Sequence, residues 1–387
     1  MAGAASAGNL RPAVRESPAR QKMIQSHEEI RRIAFVAAIF VAFPIRTMLG
    51  QEVEDTFVGR HLVVSEADRK AAASVSFSSP HVLAAHIPGA REKAAALNSE
   101  INRRTIEDLG TQEEADLAAP QAVLDKPSFY PADLSKGTGV TLTSAVNHAV
   151  YVNYKGTIAA NWGNPEAFLR DLFKDKFIHV TDQYTDRTAA GRYSVGANTS
   201  VNYALYGNVL YEHELWAIVH RVAKAAGFGS GVGHIYHIFL PKGMDTCMDE
   251  KMQCYSPDNF NSWVFCAYHD AIDFGRSDIG VVFFTVEPYE AVDGCSVTQP
   301  YANSRLIDST NSSLSHETFE TITDPLPPTG WTNIKTYPES GNEVADECQP
   351  PQNQYGNFGE PMFLINGKKY QVQLEYSNTY HACVARP

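Results

Sequence analysis

The chain has 387 residues, 44% of them apolar, with 18 Tyr, 19 Phe and a formal net charge of -12. That is material for one large or two modest cores, and so acidic a body argues against nucleic acid as a partner. The first 50 residues carry the opposite bias, seven Lys/Arg against three Glu, so the rest is more acidic than the total.

In chain order, the first feature is Ile33–Phe43 (IAFVAAIFVAF), which follows Arg31-Arg32. A basic step before a short apolar run has the form of an export signal. The run is short for a bilayer span and Arg46 cuts it off. Residues 1–50 are expected to be a signal peptide, with a retained membrane anchor as the alternative. Residues 51–136 are rich in Ala and charge, contain no cysteine, and hold helical stretches at Glu66–Ala73 and Arg91–Leu109. They are expected to form a helical pro-segment or linker. Residues 137–387 are expected to form the functional domain.

Within that domain, Ala149–Tyr154, Val201–Tyr206, His234–Leu240, Ser262–Tyr268 and Ile279–Glu287 read as strands. Pro165–Lys176 reads as a helix capped by Asn164, with Pro165 at its first position. Glu212–Ala226 is an amphipathic helix ended by Gly227. A further helix is expected near residues 312–322, stopped by Pro325, because proline disfavours helix at the residue before it. Met362–Tyr376 alternates across Asn366-Gly367, a strong hairpin signal.

The helix before Pro325 carries the chemistry. Ser315-His316-Glu317-Thr318-Phe319-Glu320, closing on Thr323-Asp324-Pro325, reads S-H-E-x-x-E-x-x-T-D-P. Residues four apart share a helix face, so His316 and Glu320 project together. Glu317, between them, is placed to take a proton from a water on the same metal. This is the layout of an H-E-x-x-H zinc helix with a carboxylate in place of the second histidine. A third ligand is expected from Glu343 or Asp346, which are three apart and would face one way on a helical turn. Asp324 reads as a cap or turn residue, with a ligand role as the alternative. His269, at a strand end, reads as structural, with a fourth ligand or a transition-state donor as alternatives.

Other candidates carry less. His213-Glu214 opens like a zinc helix, but Ala217 stands at the second ligand position. His234 and His237 point to opposite faces of one strand. No G-x-S-x-G elbow supports a serine hydrolase. Asn198-Thr199-Ser200 and Asn311-Ser312-Ser313 are glycosylation sequons.

Six cysteines lie in the last 141 residues, with no C-x-x-C pair. They read as disulfides of an exported protein. Of the several pairings open to them, Cys247–Cys254, Cys266–Cys295 and Cys348–Cys383 are expected. The last would pin the Glu343/Asp346 turn.

The set S-H-E-x-x-E-x-x-T-D-P, then Gly330-Trp331, then Glu343-x-x-Asp346-x-Cys348, resembles a group of bacterial secreted proteins. These are related to the plant phosphate-induced, or EXORDIUM-like, extracellular family. The resemblance runs from about residue 145 to the end, through Phe265-Cys266-Ala267-Tyr268-His269 to Tyr370–Asn378, where Tyr376 stands at the family's tryptophan. It implies an exported protein with a zincin-like metal helix, on which His316, Glu317, Glu320 and the Glu343/Asp346 turn fall.

Together these expectations describe an α+β fold, a zincin-like mixed sheet with an active-site helix. The expected function is a secreted metal-dependent peptidase. Zn2+ would be held by His316, Glu320 and one or both of Glu343 and Asp346, with Glu317 as general base and a peptide or protein as substrate. Carboxylates in place of histidine soften the Lewis acidity and admit Ca2+. The alternative is a non-enzymatic extracellular protein, associated with cell-wall material, that keeps a structural ion.

Overall fold

The computed structural model describes residues 61–75, 77–109, 133–154, 162–185, 191–203, 208–248, 253–334, 342–349 and 360–386. The apolar run at 33–43 and its expected export role lie outside the described residues. No helix among those described is long and apolar enough to cross a membrane.

An eight-stranded sheet organises the chain. Its strands are β1 (His61–Val63), β2 (His81–Ala84), β3 (Ala145–Tyr154), β4 (Tyr193–Val195), β5 (Thr199–Tyr203), β6 (His234–Phe239), β7 (Phe265–Asp273) and β8 (Val281–Glu287). Their order is β1-β5-β3-β6-β8-β7-β2, with β4 beside β3. Every pair from β1 to β8 is parallel, whereas β7 runs antiparallel to both β8 and β2. The mixed sheet agrees with the expectation; the dominance of parallel pairing goes beyond it. Its physical basis is the near-continuous burial of strands such as His234–Phe239 and Val281–Glu287, since parallel strands are covered on both faces.

Six helices among the described residues accompany the sheet: α1 (Glu66–Ala72), α2 (Ala90–Leu109), α3 (Pro165–Leu172), α4 (Asp182–Thr185), α5 (Glu212–Ala223) and α6 (Arg305–Thr323). Two apolar cores separate cleanly. One face of the sheet, through Val150, Val152, Tyr236, Ile238 and Phe284, packs on Leu97 and Ile101 of α2 and on Leu215, Ile218 and Val222 of α5. The other, through Ala149, Ile235, Phe239 and Phe283, packs on Phe168 and Leu169 of α3 and on Leu314, Phe319 and Ile322 of α6. Each fully buried side chain of this size contributes about 1.5–3 kcal/mol, so both layers are firmly held.

The segment expected to be a helical pro-segment or linker enters this same architecture. Its residues form β1, paired with β5, and β2, paired with β7, as well as α1 and α2. Short strands of three and four residues leave little periodicity in an Ala-rich sequence, which is why only the helices show there.

Helix α6 departs from ordinary packing. Residues 308–323 are all buried although most are polar. The Ser/Thr hydroxyls bond back along the helix: Ser309 to the Arg305 carbonyl, Thr318 to Leu314, Thr321 to Glu317 and Thr323 to Phe319. Such back-bonding satisfies small polar groups inside a core without a partner from another element. Asn311 sits within this buried stretch, so the second sequon is closed to a glycan in the folded chain.

All six cysteines are bonded, in the pairs Cys247–Cys254, Cys266–Cys295 and Cys348–Cys383 expected from the sequence. Three such bonds indicate an oxidising, extracytoplasmic environment. The tail forms the expected hairpin, Met362–Ile365 against Lys368–Gln371. Asn366 and Gly367 both take positive φ, of 48° and 78°, as a two-residue turn of this type requires.

Candidate metal centre

The geometry of α6 lays His316 and Glu320 on one face. His316 Nε2 stands 3.1 Å from Glu320 Oε1 and 3.7 Å from Asp346 Oδ1. Asp346 opens a short 3-10 turn (Asp346–Cys348) that the Cys348–Cys383 bond ties to the tail. The tail also reaches this turn through main chain: Tyr376 N–H donates to the Val344 carbonyl. Of the two expected third ligands, Asp346 therefore lies against the His316/Glu320 pair. Glu343 is close by but faces other histidines.

Those histidines come from the sheet. His81 on β2 and His269 on β7 are register partners. His269 Nδ1 lies 3.2 Å from Glu317 Oε2 and 3.6 Å from Glu320 Oε2, and its Nε2 lies 3.6 Å from Glu343 Oε2. His81 Nε2 lies 2.8 Å from Asp346 Oδ2, and its Nδ1 lies 3.4 Å from Glu343 Oε1. Three histidines and the carboxylates of Glu317, Glu320, Glu343 and Asp346 thus converge between α6, the sheet edge and the 343–348 turn. Each is buried. Two groups of three offer ligand atoms within 4.8 Å of one another: His316 with Glu320 and Asp346, and His269 with Glu317 and Glu320. A third, Cys266 with Glu290 and Cys295, cannot ligate through sulfurs already joined to each other.

Two of the imidazoles are oriented by groups that fix which nitrogen is free. The His316 Nδ1–H faces Gln373 Oε1 at 3.4 Å, while the Gln373 amide donates to the Ala345 carbonyl. His269 Nε2–H faces the Asp324 carbonyl at 3.2 Å. A carbonyl oxygen only accepts, so the lone pairs of His316 Nε2 and His269 Nδ1 are left pointing at carboxylates. This is the outer-shell arrangement by which proteins hold histidine ligands. Asp324 ends α6 and accepts from Gly330 N–H at 2.7 Å, the turn role its sequence position suggests. Gly330 is required there: a Cβ would lie 2.5 Å from Asp324 Cα.

The electrostatics are those of a centre built for positive charge. Burial, then Glu320, pushes the Glu317 carboxyl well up, and burial and then Asp324 do the same for Glu343. Burial also raises Glu320, against the opposing pull of His316. His269 is driven well down by burial and by His81. Burial opposes charge on His81 and His316, but Asp346 and Glu320 respectively outweigh it and raise both. For Asp346, burial is outweighed by His81, and its carboxyl is held low.

Seven polar atoms of the centre have no hydrogen-bond partner: His81 Nδ1, His316 Nε2, Glu317 Oε1, Glu320 Oε2, Asp324 Oδ2 and both oxygens of Glu343. Each unmet buried group costs about 1–3 kcal/mol, so together they rival the whole net stability of an ordinary domain, about 5–15 kcal/mol. A cation among them removes that penalty, and the nitrogen–oxygen donor set suits zinc while the excess of carboxylate admits calcium.

The sequence motif led directly to His316, Glu317, Glu320 and Asp346. It missed His81 and Gln373, and it read His269 as structural. The only local signal for His81 is its place at the head of a short apolar run, His81-Val82-Leu83-Ala84-Ala85. Neither His213 nor His234 takes part: His213 is exposed beside Glu214, and His234 Nδ1 lies 3.1 Å from His148 Nε2 on the far face of the sheet. No protein-family model, no curated protein and no solved structure matches this chain.

Proposed function

We propose that the protein is a secreted metal-dependent hydrolase, a zinc peptidase of zincin-like layout. The observation that carries the proposal is the pairing of a ligand triple, His316, Glu320 and Asp346, with a neighbouring carboxylate, Glu317, that the triple does not use. An ion held only for structure has no need of that fourth acid. Bound zinc would draw the pKa of a water down to about 7. Glu317, with Oε1 unpartnered, accepts that water's proton as the oxygen adds to the scissile carbonyl carbon. It then returns the proton to the amine as the C–N bond breaks. His81, whose Nε2 lies 2.8 Å from Asp346 Oδ2, is placed to orient that ligand.

The resemblance to the EXORDIUM-like family supports export and the metal helix and leaves the substrate open. A second reading, a non-enzymatic extracellular protein with a structural ion, is favoured by one observation: the side chains of the centre are all buried. Elemental analysis of purified protein, with peptide cleavage measured alongside, separates the two. Zinc together with cleavage that is lost in Glu317→Gln, while the ion at His316 and Asp346 is kept, supports the peptidase. Bound calcium with no cleavage in the wild type supports the structural ion. Absence of any bound metal defeats both.

A further inference from the structure

We infer that the centre takes two divalent cations, bridged by Glu320, rather than one. The inference rests on the metal-centre reading above and extends it to a second position, formed by His269, Glu317 and Glu320.

The two oxygens of Glu320 face different partners. Oε1 lies 3.1 Å from His316 Nε2 and accepts from the Asp346 amide at 3.1 Å, whereas Oε2 lies 3.6 Å from His269 Nδ1 and has no hydrogen-bond partner. A carboxylate that spans two histidines in this way is the element that joins paired ions, which typically stand about 3.5–4 Å apart. The ligand triples on its two sides share no other residue.

The second position has its own need for a cation. His269 donates its Nε2–H to the Asp324 carbonyl, so the Nδ1 lone pair faces Glu317 Oε2 and Glu320 Oε2, two acceptors, at 3.2 and 3.6 Å. Three acceptors facing one another repel unless a cation or a proton sits among them. A single proton bridges only two of the three acceptors, whereas a cation meets all three at once. Charge gives the same answer: Glu317, Glu320, Glu343 and Asp346 carry four negative charges when ionised, and two divalent cations neutralise four. Glu343, with both oxygens unpartnered and one of them 3.6 Å from His269 Nε2, lies beside this position and remains available to it. With the second ion in place, Glu317 binds through Oε2 and keeps Oε1 for the water.

The test is a titration of chelator-stripped full-length mature protein with Zn2+ by calorimetry, checked by elemental analysis after gel filtration. The wild type is expected to take up about two equivalents. Both His269→Asn and Glu317→Gln are expected to retain one, and Glu320→Gln to lose both. In parallel, Mn2+ loading should give a spin-coupled paramagnetic-resonance spectrum in the wild type and an uncoupled one in His269→Asn. Circular dichroism of each stripped variant shows whether it has folded. Should His269→Asn fail that check, Glu317→Gln, which is nearly isosteric, carries the test alone. Saturation of the wild type at one equivalent overturns the second ion, and so does full wild-type stoichiometry in both variants. If the one-equivalent protein still cleaves peptide, the hydrolase proposal survives that result. If no Zn2+ binds at all, both proposals fall.

Discussion

Two histidine–carboxylate clusters lie on opposite faces of the same sheet, and they differ in one respect. On the α5 face, His220 donates to or accepts from Asp68 through Nδ1 and Asp278 through Nε2, each at 2.8 Å. Asp68 spends its other oxygen on the capping box of Ser65, and Asp278 spends its own on Lys224. That cluster is closed: every polar atom in it has a protein partner. On the α6 face, three histidines and four carboxylates meet with six of their polar atoms unmet. The same residue types make a self-sufficient clamp in one place and an unbalanced cluster in the other. What separates them is whether donors and acceptors balance, because a buried surplus of acceptors can be met only by protons or cations.

The largest expected effect tests that contrast directly. Stripping divalent metal should leave the His220 clamp intact and destabilise the α6 face. An ion present at about a thousand times its dissociation constant contributes about 4 kcal/mol, or about 5 °C in midpoint for a chain of this size. Thermal unfolding with and without chelator reads it, and an unchanged midpoint would break the comparison.

Next in size is the disulfide that pins the Asp346 turn. Replacing Cys348 and Cys383 together by Ser opens a loop with a sequence separation of 35, worth about 3–4 kcal/mol in chain entropy. The same change should weaken metal binding, whereas loss of Cys247–Cys254, which lies outside the centre, should leave it unaltered. Calorimetry on both variants distinguishes them.

His220→Ala should cost about 1–3 kcal/mol, since it strands the buried Asp68 carboxylate, yet bound metal should stay at the wild-type level. Denaturant unfolding and elemental analysis of the same sample check the two halves. Lost metal would mean the two faces are not independent.

The smallest effect is a pH dependence of the stripped protein. Burial raises Glu287 to about 8 and Asp324 to about 7, against ordinary values of 4.5 and 3.8. A carboxyl raised on folding stabilises the fold while it is protonated, and that stability is lost as pH climbs through the folded value. His81 and His316, also raised, act in the same sense. His148, His237 and His269 are lowered and oppose it only below about pH 6.5, where the unfolded imidazole gains its proton. From pH 6.5 to 8.5 the stripped protein should therefore lose stability, read as a falling urea midpoint. With metal bound the slope should flatten or reverse, since the ion displaces those protons and binds more tightly as pH rises.

Features set by neighbours in the chain were readable in advance. Asn164 and Pro165 announce α3, and the Asn164 side chain does accept from Ala167 N–H. Asn366-Gly367 announces the hairpin, and the spacing of His316 and Glu320 announces a shared helix face. Helix α6 nevertheless starts at Arg305, seven residues before the expected beginning, because its first turns are polar and show no amphipathic stripe. Their burial comes from the tail laid over them, through contacts such as Gln373 N–H to Ser312 Oγ.

Local sequence alone carried the pairing of His316 with Glu320 on one face of α6, the adjacent Glu317, the acidic turn with its cysteine, and an even set of cysteines. All of these depend on spacings within a helix or turn, which the backbone repeat converts into geometry. His81 and His269 join them only through long-range folding of the chain. Those two residues are 188 positions apart in the chain and become neighbours through the antiparallel pairing of β2 with β7. Strand pairing is a long-range contact that no local pattern encodes, and with it came both the second half of the centre and the bridging place of Glu320.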